Sequence, residues 1–142
     1  FIQAAAAAGK PVVVFKAGTS SAGARAASSH TGSLAGADIA YGAATDYGRT
    51  LRLFKVRHMD TITKKTTVII IGDGRTNYGN PEEGILEEMR DRSRRIIWLN
   101  PETEQFWNSG DSEMRTYEVL CNEVRACWNL NQLAAFIQDL VL

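Results

Sequence analysis

Four short apolar runs punctuate the chain, and the segments between them repeat with a different period. The runs "PVVVFK" (11–16), "TTVIIIG" (66–72), "RIIWLN" (95–100) and the weaker "RACW" (125–128) are rich in β-branched or aromatic residues at successive positions. A strand with one face in water alternates polar and apolar residues, whereas a strand buried on both faces reads as a continuous apolar run. The intervening segments carry helical spacing. "DYGRTLRLFKVRHM" places Leu51, Phe54 and His58 on one helical face, and "MRTYEVLCNEV" does the same with Tyr117, Leu120 and Val124. "NQLAAFIQDLVL" aligns Leu133, Phe136, Ile137 and Leu140. In "NPEEGILEEMRDRSR", Asn80 is the expected cap, Pro81 suits the first helical position and Glu83 is placed to reach back to the cap N–H. Strand and helix therefore alternate, which predicts an α/β domain with about four parallel strands and at least four helices.

Connection rules add a layer assignment. If each strand lies beside its predecessor, right-handed crossovers put the three intervening helices on one face of the sheet. The strands read apolar on both faces, so the other face needs cover as well. The "FIQAAAAAG" segment and the carboxy-terminal helix are expected there, and any remainder leaves room for a homodimer through an incompletely covered sheet face.

Composition narrows the classes. The 142 residues are 44% hydrophobic with no run long enough to span a bilayer, which predicts one domain and no membrane partner. The formal net charge of +0 gives no electrostatic footprint for nucleic acid. Cys121 and Cys127 make neither a disulfide framework nor a zinc-site spacing, so a cytoplasmic location is expected. One feature is abrupt. Residues 1–44 hold fifteen of the eighteen alanines, no tryptophan and a single acidic residue, Asp38, and the composition changes at a seam near residue 44. With Phe1 in place of Met and no signal-peptide pattern, the chain reads as excised from a longer one, or as designed.

Chemistry concentrates on the loop after the first strand. "GKPVVVFKAGTSSAGARAASSHTGSLAGADIAYGAA" (9–44), with its "SHTGSLAG" motif, resembles the NDP-forming acyl-CoA synthetases, relatives of succinyl-CoA synthetase, in the flavodoxin-like subdomain that carries their phosphorylated histidine. The resemblance implies that His30 takes phosphate from an acyl phosphate and passes it to a nucleoside diphosphate, with Ser29, Thr31 and Gly32 cradling phosphate oxygens. An imidazole is a good nucleophile near neutral pH, and flanking hydroxyls and N–H groups suit an oxyanion. Nothing after residue 44 resembles a coenzyme A site or an ATP-grasp partner, and no P-loop or dinucleotide fingerprint is present. Five glycines between Gly9 and Gly36 carry a high ordering entropy, so His30 is expected to be exposed and mobile.

The remainder resembles a second family. "TDYGRTL", "TTVIIIGDGRTNYGNP", "RRIIWLNPE", "WNSGDSEM" and "YEVLCNEVRACWNLNQL", within residues 45–142, are similar to the carboxy-terminal half of a von Willebrand factor type A domain of carbon monoxide dehydrogenase accessory proteins. Such domains hold a divalent metal with an Asp-x-Ser-x-Ser loop after the first strand, a threonine from a later loop and an aspartate ending a further strand. The resemblance assigns the last two to Thr45 and Asp73. The first strand here supplies Lys16 near the aspartate position, Gly18 near the first serine and Ser20 near the second. The metal set Ser20, Thr45 and Asp73 is thus incomplete, and an ammonium where a carboxylate belongs repels a cation. At most weak magnesium binding is expected, with no other cofactor. Parallel adjacency of the first two strands would set Lys16 near Asp73 and allow an ion pair.

The remaining residues have structural readings. His58 belongs to a helical face, and Arg90 to Arg95 complement a helix dipole. Trp98, Trp107 and Trp128 pack in the core or at its rim, and the "SGDSE" carboxylates cap the following helix. The expectation is a composite, Rossmann- or flavodoxin-like three-layer sandwich, engineered or recombined from two sources, without enzymatic turnover. Two rival readings stand beside it: a degenerate type A interaction module, and a synthetase fragment with a phosphorylatable His30.

Overall fold

The computed structural model describes residues 12–16, 24–26 and 46–140, the first two segments by their backbone. Five strands form one sheet: β1 (Val12–Lys16), β2 (Ala24–Ala26), β3 (Thr67–Ile71), β4 (Arg95–Asn100) and β5 (Glu123–Ala126). The described helices are α1 (Tyr47–His58), α2 (Glu83–Arg92), α3 (Met114–Glu118) and α4 (Leu130–Asp139). The strand order is β2-β1-β3-β4-β5. All pairs are parallel except β1 with β2, which is antiparallel. The expected α/β sandwich with four parallel strands in sequential order is what the chain adopts.

The continuous apolar strands are explained by two cores. Val68 and Ile70 of β3 and Ile96 and Trp98 of β4 face Tyr47, Leu51 and Phe54 of α1, Leu86 and Met89 of α2, and Met114 and Tyr117 of α3. Ile69, Ile97 and Leu99 face the other way, onto Phe136 of α4 with Leu133 and Ile137 beside it. Register keeps like faces together, pairing Ile70 with Trp98 and Ile69 with Ile97. Three helices on one face and the carboxy-terminal helix on the other is the layering that right-handed crossovers require. The expected amino-terminal helix lies outside the described residues. Trp98 is wholly buried, stacked on Tyr117 at 5.0 Å and tilted against Tyr47 at 5.3 Å. Each such pair adds about 1 kcal/mol beyond the area it buries.

Several local expectations are corrected. The segment expected to be loop throughout contains β2, whose pairing with β1 satisfies backbone groups that an edge would leave open. Helix α2 starts at Glu83, later than its sequence suggests. Asn80 accepts from the Glu82 N–H in a turn, and Glu82 itself adopts a left-handed conformation with φ 56° and no side-chain cap, so Pro81 stays outside the helix. Helix α3 ends at Glu118, leaving Leu120 and Val124 outside it. The chain turns there because Asn122 closes onto β4, its side chain accepting from Ile96 N–H at 2.7 Å and its own N–H donating to Ile96 O. Strand β5 therefore begins two residues earlier than "RACW" implies, and Val124 is a strand residue. Trp107 packs partly buried against the first core, and Trp128, 52% exposed, sits at the rim of the second beside Leu99 and Leu133, as expected of core or rim tryptophans. His58 is half-buried against Phe54, and Arg90 and Arg92 occupy the last turn of α2, as their structural readings expect. No described helix is long and apolar enough to cross a membrane.

Candidate functional site at the carboxyl ends of the strands

The loops leaving β3 and β4 converge on Asp73, the described member of the expected metal set. The approach to it is built by close packing. A Cβ on Gly72 would lie 1.4 Å from the Tyr47 hydroxyl, and Gly74, at φ 72°, would set one 2.6 Å from Met114 Sδ, so only glycine fits on either side of the aspartate. The Trp98 indole N–H donates to Gly72 O at 2.8 Å, and the Tyr47 hydroxyl donates to Ile71 O at 3.4 Å. Burial, and after it the neighbouring Asp73 carboxylate and Tyr117, push the Tyr47 phenol well above its usual range, so it remains a neutral donor. The Asp73 carbonyl accepts from Asn100 Nδ2 and Ser112 Oγ, both at 3.4 Å. Its half-buried carboxylate accepts from the Arg75 N–H through Oδ1 at 3.1 Å.

Arg75 then locks the two loops together. Its guanidinium grips Glu102 with Nη2 at 2.9 Å from both carboxylate oxygens, and donates to Asp111 Oδ1 at 2.9 Å and Ser109 O at 3.2 Å through Nη1. These two carboxylates, Asp111 first, raise the basicity of Arg75. Burial alone would raise the Asp111 carboxyl, but the bonds from Arg75 and from the Asn77 N–H outweigh it and hold that carboxyl below its usual range. The expectation that the "SGDSE" carboxylates cap the next helix is therefore wrong for both of them. Asp111 binds Arg75 and Asn77, and Glu113 precedes α3 without a side-chain cap. The sequence shows no signal for this clamp, because its members lie 27 and 36 positions apart.

The remaining site residues are distributed as follows. His30, Ser29, Thr31 and Gly32 lie outside the described residues, as do Ser20 and Thr45, and with them the expectation of a mobile His30. Lys16 is placed by backbone only, in register with Ile71 and therefore two positions short of Asp73 along the neighbouring strand. The adjacency expected of the first two parallel strands is met, while the Lys16 side chain, and so the ion pair, is outside the description. Among the described residues no three His, Cys, Asp or Glu side chains converge as a metal set. Asp73 offers one carboxylate, already accepting a backbone N–H, which does not match the several hard oxygens that magnesium needs.

Comparison with known proteins bears on both halves. The chain matches 47 residues of ADP-forming acetate-CoA ligase I subunit alpha from Pyrococcus furiosus at 53% identity, over 33% of this chain and 10% of that protein. It matches 35 residues of ADP-forming acetate-CoA ligase I from Archaeoglobus fulgidus at 74% identity, over 25% of this chain and 5% of that protein. The chain thus spans a tenth or less of the length of these relatives. No solved structure matches it. The family model for the VWA domain containing CoxE-like protein matches residues 18–136, running through the compositional seam, the loop of Asp73 and the Arg75 clamp. That match covers well over half of the sequence, and the chain belongs to the VWA domain containing CoxE-like family.

Proposed function

We propose that this chain is a non-catalytic α/β scaffold of the von Willebrand type A kind, recombined or engineered from two sources, with a cation site too incomplete to bind magnesium usefully. The observation that carries the reading is Asp73. It stands at the carboxyl end of β3 with Oδ1 accepting from Arg75 N–H, and the neighbouring strand brings Lys16 where the resemblance calls for an aspartate. A divalent ion there would find one carboxylate, already accepting a backbone N–H, a poor exchange for its hydration shell. The Arg75 clamp keeps the surrounding loops in place through protein contacts, so their order needs no metal. Near-zero net charge argues in the same direction against nucleic acid as a partner. The test is a series of thermal melts with magnesium, phosphate and coenzyme A. No ligand is expected to raise the melting temperature. A saturable rise with magnesium that disappears in Asp73→Asn would overturn the reading.

The local identity to the acetate-CoA ligases supports a second reading, in which His30 keeps its phosphoryl chemistry. In that case the imidazole attacks the phosphorus of an acyl phosphate, the carboxylate leaves, and the phosphoryl group rests on the ring nitrogen. Incubation with labelled acetyl phosphate separates the two readings. Acid-labile label lost in His30→Asn supports the fragment reading, and absence of label supports the scaffold.

A further inference from the structure

Strand β5 ends the sheet on one side, and no described strand lies beyond it. Its phase against β4 is fixed by the Cys127 N–H, which donates to Asn100 O at 2.6 Å. Backbone groups of successive strand residues point to opposite sides, so those of Glu123 and Arg125 face β4 and those of Val124 and Ala126 face away from the sheet. Among the described residues no loop or side chain bonds to these outward groups. The side chains divide between the two faces. Glu123 and Arg125 share the α4 face, where the Arg125 guanidinium lies over the Phe136 ring at 5.6 Å, and Val124 packs on the opposite face against the first core. Arg125 uses Nε on Glu123 Oε1 and Nη1 on Asp139 Oδ2, which leaves Arg125 Nη2 and Glu123 Oε2 without a partner among the described residues.

Charge normally blunts an open edge, because like charges directly opposite each other disfavour pairing. On β5 the two charges have opposite sign and stand two residues apart, so they block some registers and favour one. A second copy running antiparallel about a two-fold axis can hydrogen-bond only outward residue to outward residue, which puts the axis on a residue rather than between two. An axis through Glu123 or Arg125 sets that residue against its own copy, like charge on like charge. An axis through Ala126 sets Val124 and Arg125 against residues beyond the strand. An axis through Val124 sets Glu123 opposite Arg125 of the copy, and the reverse. We propose that β5 pairs antiparallel with β5 of a second copy about a two-fold axis through Val124, joining the two sheets into one. The two Val124 residues then exchange both N–H···O bonds. Directly opposed side chains stand about 5 Å apart at Cβ, which brings Arg125 Nη2 of each copy within reach of Glu123 Oε2 of the other. A two-fold contact requires a self-complementary patch, and the Glu-Val-Arg triplet complements itself only in this register. Strand β5 stands two strands from β3 and its Asp73, so the pairing holds whether or not that carboxylate binds a cation.

The test is sedimentation velocity of the full chain across a wide concentration range, because a four-residue edge makes a weak dimer. The wild type is expected to show monomer and dimer in a concentration-dependent ratio. Glu123→Arg opposes Arg to Arg and Arg125→Glu opposes Glu to Glu, so each alone should lower the association constant about ten-fold. Their equimolar mixture should recover the dimer, since every opposed pair is then Arg with Glu, and salt should weaken that mixed dimer. Val124→Pro removes the donor at the axis from a position whose N–H faces away from β4, so the ladder within the chain survives. That variant should be monomeric and still melt cooperatively. A wild type that stays monomeric, single charge variants that dimerise as before, a mixture that stays monomeric, or a Val124→Pro variant that dimerises would each overturn the assignment.

Discussion

Replacing Arg75 with methionine keeps most of the side-chain length and removes the charge that holds the β3 and β4 loops together. The guanidinium, the Glu102 carboxylate and the Asp111 carboxylate are 25%, 28% and 20% exposed, so solvent screens the cluster without dissolving it. Exposed ion pairs contribute about 0–1 kcal/mol, while hydrogen bonds to charged groups in partly buried sites contribute about 1.5–3 kcal/mol. With a bidentate grip on Glu102 and one bond to Asp111, discounted for screening, the loss comes to about 2–3 kcal/mol. It includes the cost of leaving two half-buried carboxylates without a counter-ion. The pH dependence has a definite sign. The Asp111 carboxyl titrates lower in the folded state than in the unfolded chain, so its contribution is complete above the unfolded value of about 3.9 and is lost as pH falls through the depressed folded one. Urea unfolding followed by tryptophan fluorescence should therefore show Arg75→Met well below the wild type at pH 7, with the gap closing in strong acid. A neutral-pH difference under about 0.5 kcal/mol, in the range of an ordinary surface substitution, would refute the clamp as described. A gap that ignores pH would refute its electrostatic origin.

Other outcomes follow from single positions. Tyr78 sits with φ 58° after Asn77 with φ 52°, in a turn closed by Gly79 N–H to Thr76 O, and its ring is 82% exposed. Tyr78→Gly removes that strain at little packing cost and should raise the urea midpoint by about 1 kcal/mol of stability. Burial, with a smaller contribution from Glu118, pushes the Cys121 thiol up to about 12. The folded state then loses stability once pH rises above the unfolded thiol value of about 8.5, and a Cys121→Ala variant should lack that part of the alkaline loss in pH-dependent melts. Lys16→Asp puts a carboxylate on the neighbouring strand, in register with Ile71 and about 8 Å from Asp73 between backbones, and should give a magnesium-dependent rise in melting temperature that the wild type lacks.

The parts of this fold that the sequence made legible are those where neighbouring residues agree. In β3 and β4, β-branched residues and Trp98 follow one another without interruption, which only two covered faces explain, and the sequential strand order then fixed the helix layering. The misreadings fall where distant residues decide. Asn80, Pro81 and Glu83 look like a helix start, but the Tyr117 hydroxyl donates to Pro81 O and Arg52 pairs with Glu82, and between them they hold Glu82 in a left-handed turn. Tyr117, Leu120 and Val124 fit a helical period until Asn122 closes onto Ile96 and starts a strand. Of the candidate site, Asp73 and the Lys16 register were legible from the family resemblance and from strand adjacency. Arg75, Glu102 and Asp111 were not, because an ion-pair cluster between loops leaves no periodic trace.

The most direct test of the central claim, that Asp73 no longer belongs to a working cation site, is paramagnetic broadening of backbone amide signals by manganese(II), a divalent ion with oxygen preferences close to those of magnesium. In the wild type the amides of Gly72, Asp73, Gly74 and Arg75 are expected to broaden no more than those near other exposed carboxylates such as Asp60 and Glu104, and the Arg75 amide should keep the shift set by its bond to Asp73. Selective broadening of residues 72–75 at low manganese, reversed by magnesium and absent in Asp73→Asn, would contradict the account.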